Sequence, residues 1–344
     1  MAMTKIDFFA RWPHYIDHML PIWLQLGDQA GSFLVPEHLG PYLEQRNVLP
    51  RTLLPNMQNQ VMNVNPIGTN PILVAGYMDL QAAVVENQKR PVILMEHGVG
   101  LVFPGNSSYA GNTGFRTRPT LTLAPNWHVY ELTKKAIPAM KQKIIGTPKL
   151  DKWAGEFEKE RPYLPARPTV AFAFHWDASA VEPEAGTAFG FYRAFIGAFV
   201  KNYPDLRIIG HGHPRMAAEY ERQFKFMGIE WVADFEDVMR QADVFVNDNS
   251  STMYEFLVTG KPVVLLNSPK FRRDVNFGIR FWDFTDIGLH VNRPEDMEGI
   301  IIQTLTKYEA FKVQREFTVR ELYPYLGKSA EYAAREIRKH INEL

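Results

Sequence analysis

The chain has no cysteine among its 344 residues. Disulfides, thiolate metal sites and cysteine nucleophiles are thereby excluded. It also has no excess charge, because Lys+Arg and Asp+Glu each number 38. Phosphate backbones are held by clustered cationic charge, so this balance argues against a nucleic-acid partner and against a polybasic membrane anchor. No run approaches the roughly 18–20 apolar residues of a membrane helix, and no integral membrane segment is expected. The opening MAMTKIDFFARWPHY lacks the basic start, apolar stretch and small-residue cleavage site of a secretory signal, which makes a cytoplasmic location the expectation. No internal repeat or low-complexity tract is visible.

What is present is an alternation of short apolar runs with stretches of helical period, the pattern of parallel α/β domains. Strands are expected at 5–9, 71–75, 91–96, 121–124 and 143–146, then at 168–174, 206–210, 229–232, 243–247 and 262–266. Helices are expected over 186–202 and 215–227, with an amphipathic helix after Gly327. Residues 28–70 and 103–120 are rich in Gly, Pro and Asn and take no assignment. The stretch 155–168 has three prolines and dense charge, and reads as an interdomain linker. Length favours two domains. The expected fold is therefore two Rossmann-like domains whose parallel sheets face across a cleft, with ligands at the C-terminal ends of the strands.

The strongest local signal is QADVFVNDNSSTMYEF, residues 241–256. A buried strand ends at Asn247-Asp248, and Asn249, Ser250, Ser251 and Thr252 open a helix that carries Glu255 one turn in. Helix N–H groups and serine hydroxyls suit a phosphate, and Glu255 suits ribose hydroxyls. The same residues also make an ordinary N-cap.

This segment resembles the CDP-glycerol glycerophosphotransferase family, in which a strand precedes Asp-x-Ser-Ser and an acidic residue follows seven positions after the Asp. Asp248, Ser250, Ser251 and Glu255 match, with Glu where that family usually has Asp. TGKPVVLL, IIGTPKLDKW (residues 144–153) and LGKSAEYAAREI (residues 326–337) are also similar to family segments. The resemblance implies the GT-B architecture: an N-terminal acceptor domain over 1–160, a nucleotide-donor domain over 161–326, and a terminal helix 327–344 packing back toward the first. It implies a nucleotide-diphosphate donor as substrate, no separate cofactor and no metal. A weaker resemblance is to the UDP-N-acetylglucosamine 2-epimerases. Their signature places hold Trp12-Pro13-His14, His175-Trp176, His213-Pro214 and Asn249-Ser250-Ser251 here, and the Ser-Ser turn favours the transferase side.

Several histidines stand at strand ends. His97 follows PVILME and precedes Gly98, similar to the family's His-Gly, which implies a base for the acceptor hydroxyl. The alternative is a buried histidine satisfied by a carbonyl. The VGLVF that follows departs from the family's Thr and Lys, which leaves the acceptor open. His213, in GHGHPR, is similar to the family's donor-phosphate His-Pro, with Arg215 beside it. His211 and His213 have no third ligand at recognisable spacing, which argues against a metal. Of the family's Thr-Trp-Arg only Trp176 matches, after His175, and Asp177 would repel phosphate. His14 and His18 are four apart, but Pro21 is expected to interrupt the helix and leave them exposed on the acceptor side. Arg272 and Arg273 could reach a phosphate or be solvated.

The resulting expectation is inverting, metal-independent transfer of a glycosyl or glycerol-phosphate unit to an acceptor hydroxyl on a glycan, polymer or protein. The rivals are a nucleotide-sugar 2-epimerase and a non-catalytic nucleotide-sugar binding protein.

Overall fold

The computed structural model describes residues 4–54, 70–85, 90–99, 113–160, 164–177, 179, 186–248, 250–269 and 284–344. The chain divides into two compact units: the first closes at Ala154 and takes back Glu321–Leu344, and the second runs over Gly155–Arg320.

The first unit holds strands β1 (Ile6–Phe9), β2 (Ala30–Pro36), β3 (Arg51–Leu54), β4 (Ile72–Ala75), β5 (Val92–Met95), β6 (Leu121–Ala124) and β7 (Gln142–Ile144). Its helices are α1 (Pro13–Leu26), α2 (Gly40–Glu44), α3 (Tyr77–Val85), α4 (Thr113–Arg116) and α5 (Trp127–Ala136). The second unit holds β8 (Thr169–Phe174), β9 (Arg207–Gly212), β10 (Glu230–Trp231), β11 (Val244–Asn247), β12 (Val263–Leu266) and β13 (Gly288–Val291). Its helices are α6 (Phe189–Asn202), α7 (Ala217–Phe226), α8 (Phe235–Gln241), α9 (Thr252–Leu257) and α10 (Met297–Thr306). Helix α11 (Lys312–Leu322) crosses the boundary, and α12 (Ser329–Asn342) belongs to the first unit.

Among the described residues the sheets run β3-β2-β1-β4-β5-β6-β7 and β10-β9-β8-β11-β12-β13, and the strand pairs are parallel. Strands such as β8 (TVAFAF) and β11 (VFVN) are buried throughout, as expected when helices cover both faces. Alternation is visible in β1, where Phe8 joins the layer with Ile16, Met19 and Ile337 while Phe9 joins Leu80 and Ala83 on the opposite face.

Each of the ten expected strands lies on an observed one. The 28–70 stretch, left unassigned from sequence, supplies β2, α2 and β3 among its described residues. Most of 103–120 lies outside them. The 155–168 segment begins packed, with Phe157 buried and its backbone so near Gly260 that a Cβ there would stand 3.1 Å from the Phe157 Cα.

Two corrections concern α1. It runs through Pro21 without interruption, and His18 is 2% exposed. Pro21 forfeits only the hydrogen bond to the Asp17 carbonyl. The buried face of Tyr15, Ile16, Met19, Ile22 and Leu26 outweighs that loss, because α12 packs along it with Ala333, Ala334 and Ile337.

The two segments IIGTPKLDKW and LGKSAEYAAREI are partners in space. Asp151 caps α12, its Oδ1 accepting from Gly327 N (2.9 Å) and Ser329 N (3.0 Å) and its Oδ2 from Ala330 N (2.7 Å). Gly146 has φ +82°, and a Cβ there would lie 2.3 Å from both the Pro324 carbonyl and Ser329 Oγ. Among the described residues no helix is long and apolar enough to cross a membrane.

Candidate functional site

An open parallel sheet binds ligands where successive connections leave in opposite directions from neighbouring strands. In the second unit that point lies between β8 and β11. Just beyond their C-terminal ends stand His175 and Asp248.

Asp248 is 3% exposed and its oxygens are occupied by its own fold. Oδ1 accepts from His175 N (2.9 Å), and Oδ2 accepts from Thr187 Oγ1 (3.0 Å) and Ala188 N (3.0 Å). The carboxylate thus ties the β8 loop and the start of α6 to the end of β11. Tyr220 donates to the His175 carbonyl at 2.5 Å, and burial, then the Asp248 charge, raises its phenol above the ordinary value. Thr187 carried no signal in the sequence, because a Thr before a helix is common for capping alone.

His213 opens the turn after β9 and is partly exposed. The Arg215 backbone N–H donates to its Nδ1 at 3.2 Å, so in the neutral ring the proton sits on Nε2. His213 therefore presents a donor away from its own backbone. Its ring lies 5.2 Å from that of His175, and the Arg215 guanidinium lies 4.5 Å over the Trp176 ring. His175 donates through Nδ1 to the Trp176 carbonyl at 2.9 Å. His211 is instead buried, and donates through Nδ1 to the Val232 carbonyl at 2.9 Å.

The start of α9 differs from the expected row of open N–H groups. Thr252 N donates to Ser250 Oγ (3.4 Å), Met253 N to the Ser250 carbonyl (3.2 Å), and Tyr254 N to the Ser251 carbonyl (3.0 Å). A tight turn before a six-residue helix uses its own amides. What it presents is hydroxyls. Thr252 Oγ1 donates to Ser250 Oγ (3.0 Å), which leaves the Ser250 proton to donate, and Ser251 makes no capping hydrogen bond. Glu255 is 3% exposed. Lys261 of TGKP is structural, donating from Nζ to the carbonyls of Met239 (2.9 Å), Arg240 (3.1 Å) and Ala242 (2.6 Å) at the end of α8. Arg273 and Asn249 lie outside the described residues.

In the first unit the reversal falls between β1 and β4. His97, one strand further on, is partly exposed at the end of β5. Its ring centroid lies 4.8 Å from Tyr15, 5.8 Å from His14 and 6.3 Å from His18. Gly76 makes this approach possible: its φ is +87°, and a Cβ would stand 2.9 Å from both His97 Nδ1 and Tyr15 Oη. His18 is held well below the ordinary imidazole value by burial, then by Lys149, His97 and His14. Arg11, just after β1, donates to Asp79 at 2.7 Å, and burial pushes Asp79 up to about 6 against the pull of that guanidinium. Among the described residues no group of three or more His, Asp or Glu could hold a metal ion.

A family model described as CDP-Glycerol:Poly(glycerophosphate) glycerophosphotransferase matches residues 198–271. The segment contains His213, Asp248, Ser250, Ser251, Thr252 and Glu255. No curated protein sequence matches the chain. Among solved structures, a putative UDP-N-acetylglucosamine 2-epimerase from Listeria monocytogenes is similar at TM-score 0.65 and 14% identity, covering 100% of this chain and 98% of that one. The wall teichoic acid polymerase TagF, in a histidine-to-asparagine variant soaked with CDPG, is similar at 0.66 and 14%, covering 98% and 89%. The UDP-GlcNAc 2-epimerase from Neisseria meningitidis bound to UDP-GlcNAc reaches 0.65 and 14%, covering 97% and 99%.

The fold is GT-B.

That GT-B fold is shared by a polymerase and by epimerases, so it selects neither chemistry. Both parallel sheets match the expected class. The sequence segments singled out sort into two kinds: the Ser-Ser turn and His213 present donors at a strand-end crevice, while Asp248, Lys261, Gly146 and Asp151 hold the scaffold.

Proposed function

We propose that the chain is a metal-independent transferase that takes a nucleotide-diphosphate donor on its second unit and delivers a glycosyl or glycerol-phosphate group to an acceptor hydroxyl. The observation that carries this reading is a coincidence of place. The segment matched by the glycerophosphotransferase model supplies the polar donors beside the reversal point of the second sheet.

In this reading His213 Nε2–H and the hydroxyls of Ser250, Ser251 and Thr252 meet the donor diphosphate, with Arg215 and Trp176 beside them. As the bond to the leaving phosphate lengthens, negative charge grows on its oxygen, and fixed donors stabilise it without a metal. Asp248 acts through His175 and α6 by holding the crevice in shape. His97 accepts the proton of the acceptor hydroxyl, whose oxygen forms the new bond. Attack at an anomeric carbon releases a nucleoside diphosphate, and attack at the distal phosphorus of CDP-glycerol releases CMP. The family model favours the second. The reading takes the reaction to be cytoplasmic and the acceptor to be an alcohol on a glycan, polymer or protein.

The second reading is a nucleotide-sugar 2-epimerase, favoured by the full-length fold likeness to two such proteins. The test is thermal stabilisation by CDP-, UDP-, GDP- and dTDP-linked ligands, followed by incubation of the stabilising donor without acceptor. A CDP-selective rise lost in His213→Gln supports glycerophosphoryl transfer. Conversion of a UDP-sugar without acceptor supports the epimerase, and no rise with any ligand overturns both readings.

A further inference from the structure

Arg11 follows β1 at the reversal point of the first sheet, and Asp79 stands in the first turn of α3, which follows the neighbouring strand β4. The two residues join across that point. Asp79 Oδ2 accepts from the Arg11 main-chain N–H (3.2 Å), and Oδ1 accepts from Arg11 Nε (2.7 Å). The carboxylate is fully buried, whereas 14% of the arginine side chain is exposed. A guanidinium carries five N–H groups, and this pairing uses one of them. Nη2 is buried with no hydrogen-bond partner, and among the described residues the side chain makes no further hydrogen bond.

An arginine that only tied the two turns together would offer its fork of N–H groups to both carboxylate oxygens. Here the main chain takes one oxygen, and the terminal nitrogens stay unspent. Place decides the matter as much as count. Arg90 also keeps an unpartnered nitrogen, Nη1, but it lies ahead of β5, at the edge where the strands begin. Arg11 lies at the edge where they end, and there open parallel sheets take their ligands.

We propose that Arg11, fixed by Asp79, is an anion-binding group of the first unit and holds an oxyanion, phosphate ester or carboxylate, on its terminal nitrogens.

Asp79 offsets the charge of the guanidinium but not its donors, and it fixes the plane in which they point. Parallel N–H bonds from Nη1 and Nη2 match two oxygens of such a group. No covalent bond changes. A Cβ on Gly76, three residues before Asp79, would stand 2.9 Å from His97 Nδ1, so the anion site and the proposed base share the β4–α3 turn. The inference deepens the transfer reading and rests on it in one respect, that the anion belongs to the acceptor. The acceptor is then an alcohol that carries a negative group.

The experiment is NMR of the full chain labelled with nitrogen-15 in arginine, following the Arg11 Nε–H signal. The signal is assigned by its loss in Arg11→Lys, or by its displacement in Asp79→Asn should the lysine variant fail to fold. Inorganic phosphate and acetate are titrated separately, with chloride holding the ionic strength constant. A saturable shift of this signal is expected with at least one of them, and the tighter binder names the group. Asp79→Asn keeps an acceptor for Nε and removes the opposing charge, so it should tighten binding about tenfold. No saturable shift with either anion, an equal shift with chloride alone, or affinity unchanged or weakened in Asp79→Asn would each overturn the proposal. A flat nucleotide panel beside a saturable Arg11 shift would sink the transfer reading and leave the anion site. The reverse would sink the anion site and leave the transferase with an uncharged acceptor.

Discussion

Replacing Asp248 tests whether the crevice of the second unit is held from beneath. The carboxylate accepts three hydrogen bonds of 2.9–3.0 Å from His175 N, Thr187 Oγ1 and Ala188 N, at 3% exposure. Asp248→Ala strands all three donors where water enters poorly. A buried unsatisfied donor costs about 1–3 kcal/mol, so the loss should be about 3–6 kcal/mol, allowing for relaxation. Asp248→Asn keeps one acceptor oxygen but turns an NH2 group toward donors, and should cost roughly half as much. Denaturant unfolding followed through tryptophan fluorescence of the whole chain, compared between wild type and variant, reads the loss, with the m-value checked for constancy. Nucleotide stabilisation should fall in both variants, because His175 and α6 lose their common anchor. A cost under about 1 kcal/mol for Asp248→Ala would refute the accounting. It would mean that the carboxylate is available to a ligand.

Other expectations are more quickly stated. His97→Asn should lower kcat by about 10²–10⁴ with nucleotide stabilisation unchanged, as for removal of a general base. Asp151→Ala strands the N–H groups of Gly327, Ser329 and Ala330 at the start of α12, and should cost about 2–4 kcal/mol, measured by denaturation of the first unit. Stability should rise with pH up to about the ordinary histidine value of roughly 6.5. The native states of His18 and His340 are depressed by burial, so the unfolded chain binds more protons below that pH. Asp79 works in the opposite sense: its native value is raised to about 6, so the folded chain holds the extra proton and stability falls as pH rises through that window. Asp79→Asn should therefore steepen the loss of stability on acidification, and an unchanged slope would contradict the assignment.

The two sheets were legible because their central strands are continuous apolar runs bounded by turn residues. The missed strands are different in kind. β2 begins Ala-Gly-Ser, and Gly31 is required there because a Cβ would stand 2.2 Å from Asp7 Oδ1. β3 is an edge strand with Leu53 46% exposed, and β13 is four residues long with His290 engaged in a polar network. Residue identity placed His213 and the Ser-Ser turn at strand ends, but hydrogen-bond direction is a property of the folded chain. That is why Asp248 reads as a ligand group in the sequence and as an anchor in the structure. The burial of His18 was not legible because the segments that pack on α1, the turn Pro148–Trp153 and α12, lie far along the chain from it.

The return of Glu321–Leu344 to the first unit has a consequence for biosynthesis. Until the ribosome has passed the end of α12, α1 has one apolar flank uncovered and Asp151 has no helix to cap. The sheet of the first unit is thus synthesised well before the helix that completes its packing. A stalled or clipped chain would expose the apolar flank of α1, with Met19 and Ile22 on it, and would present quality-control machinery with a mark that the finished molecule hides.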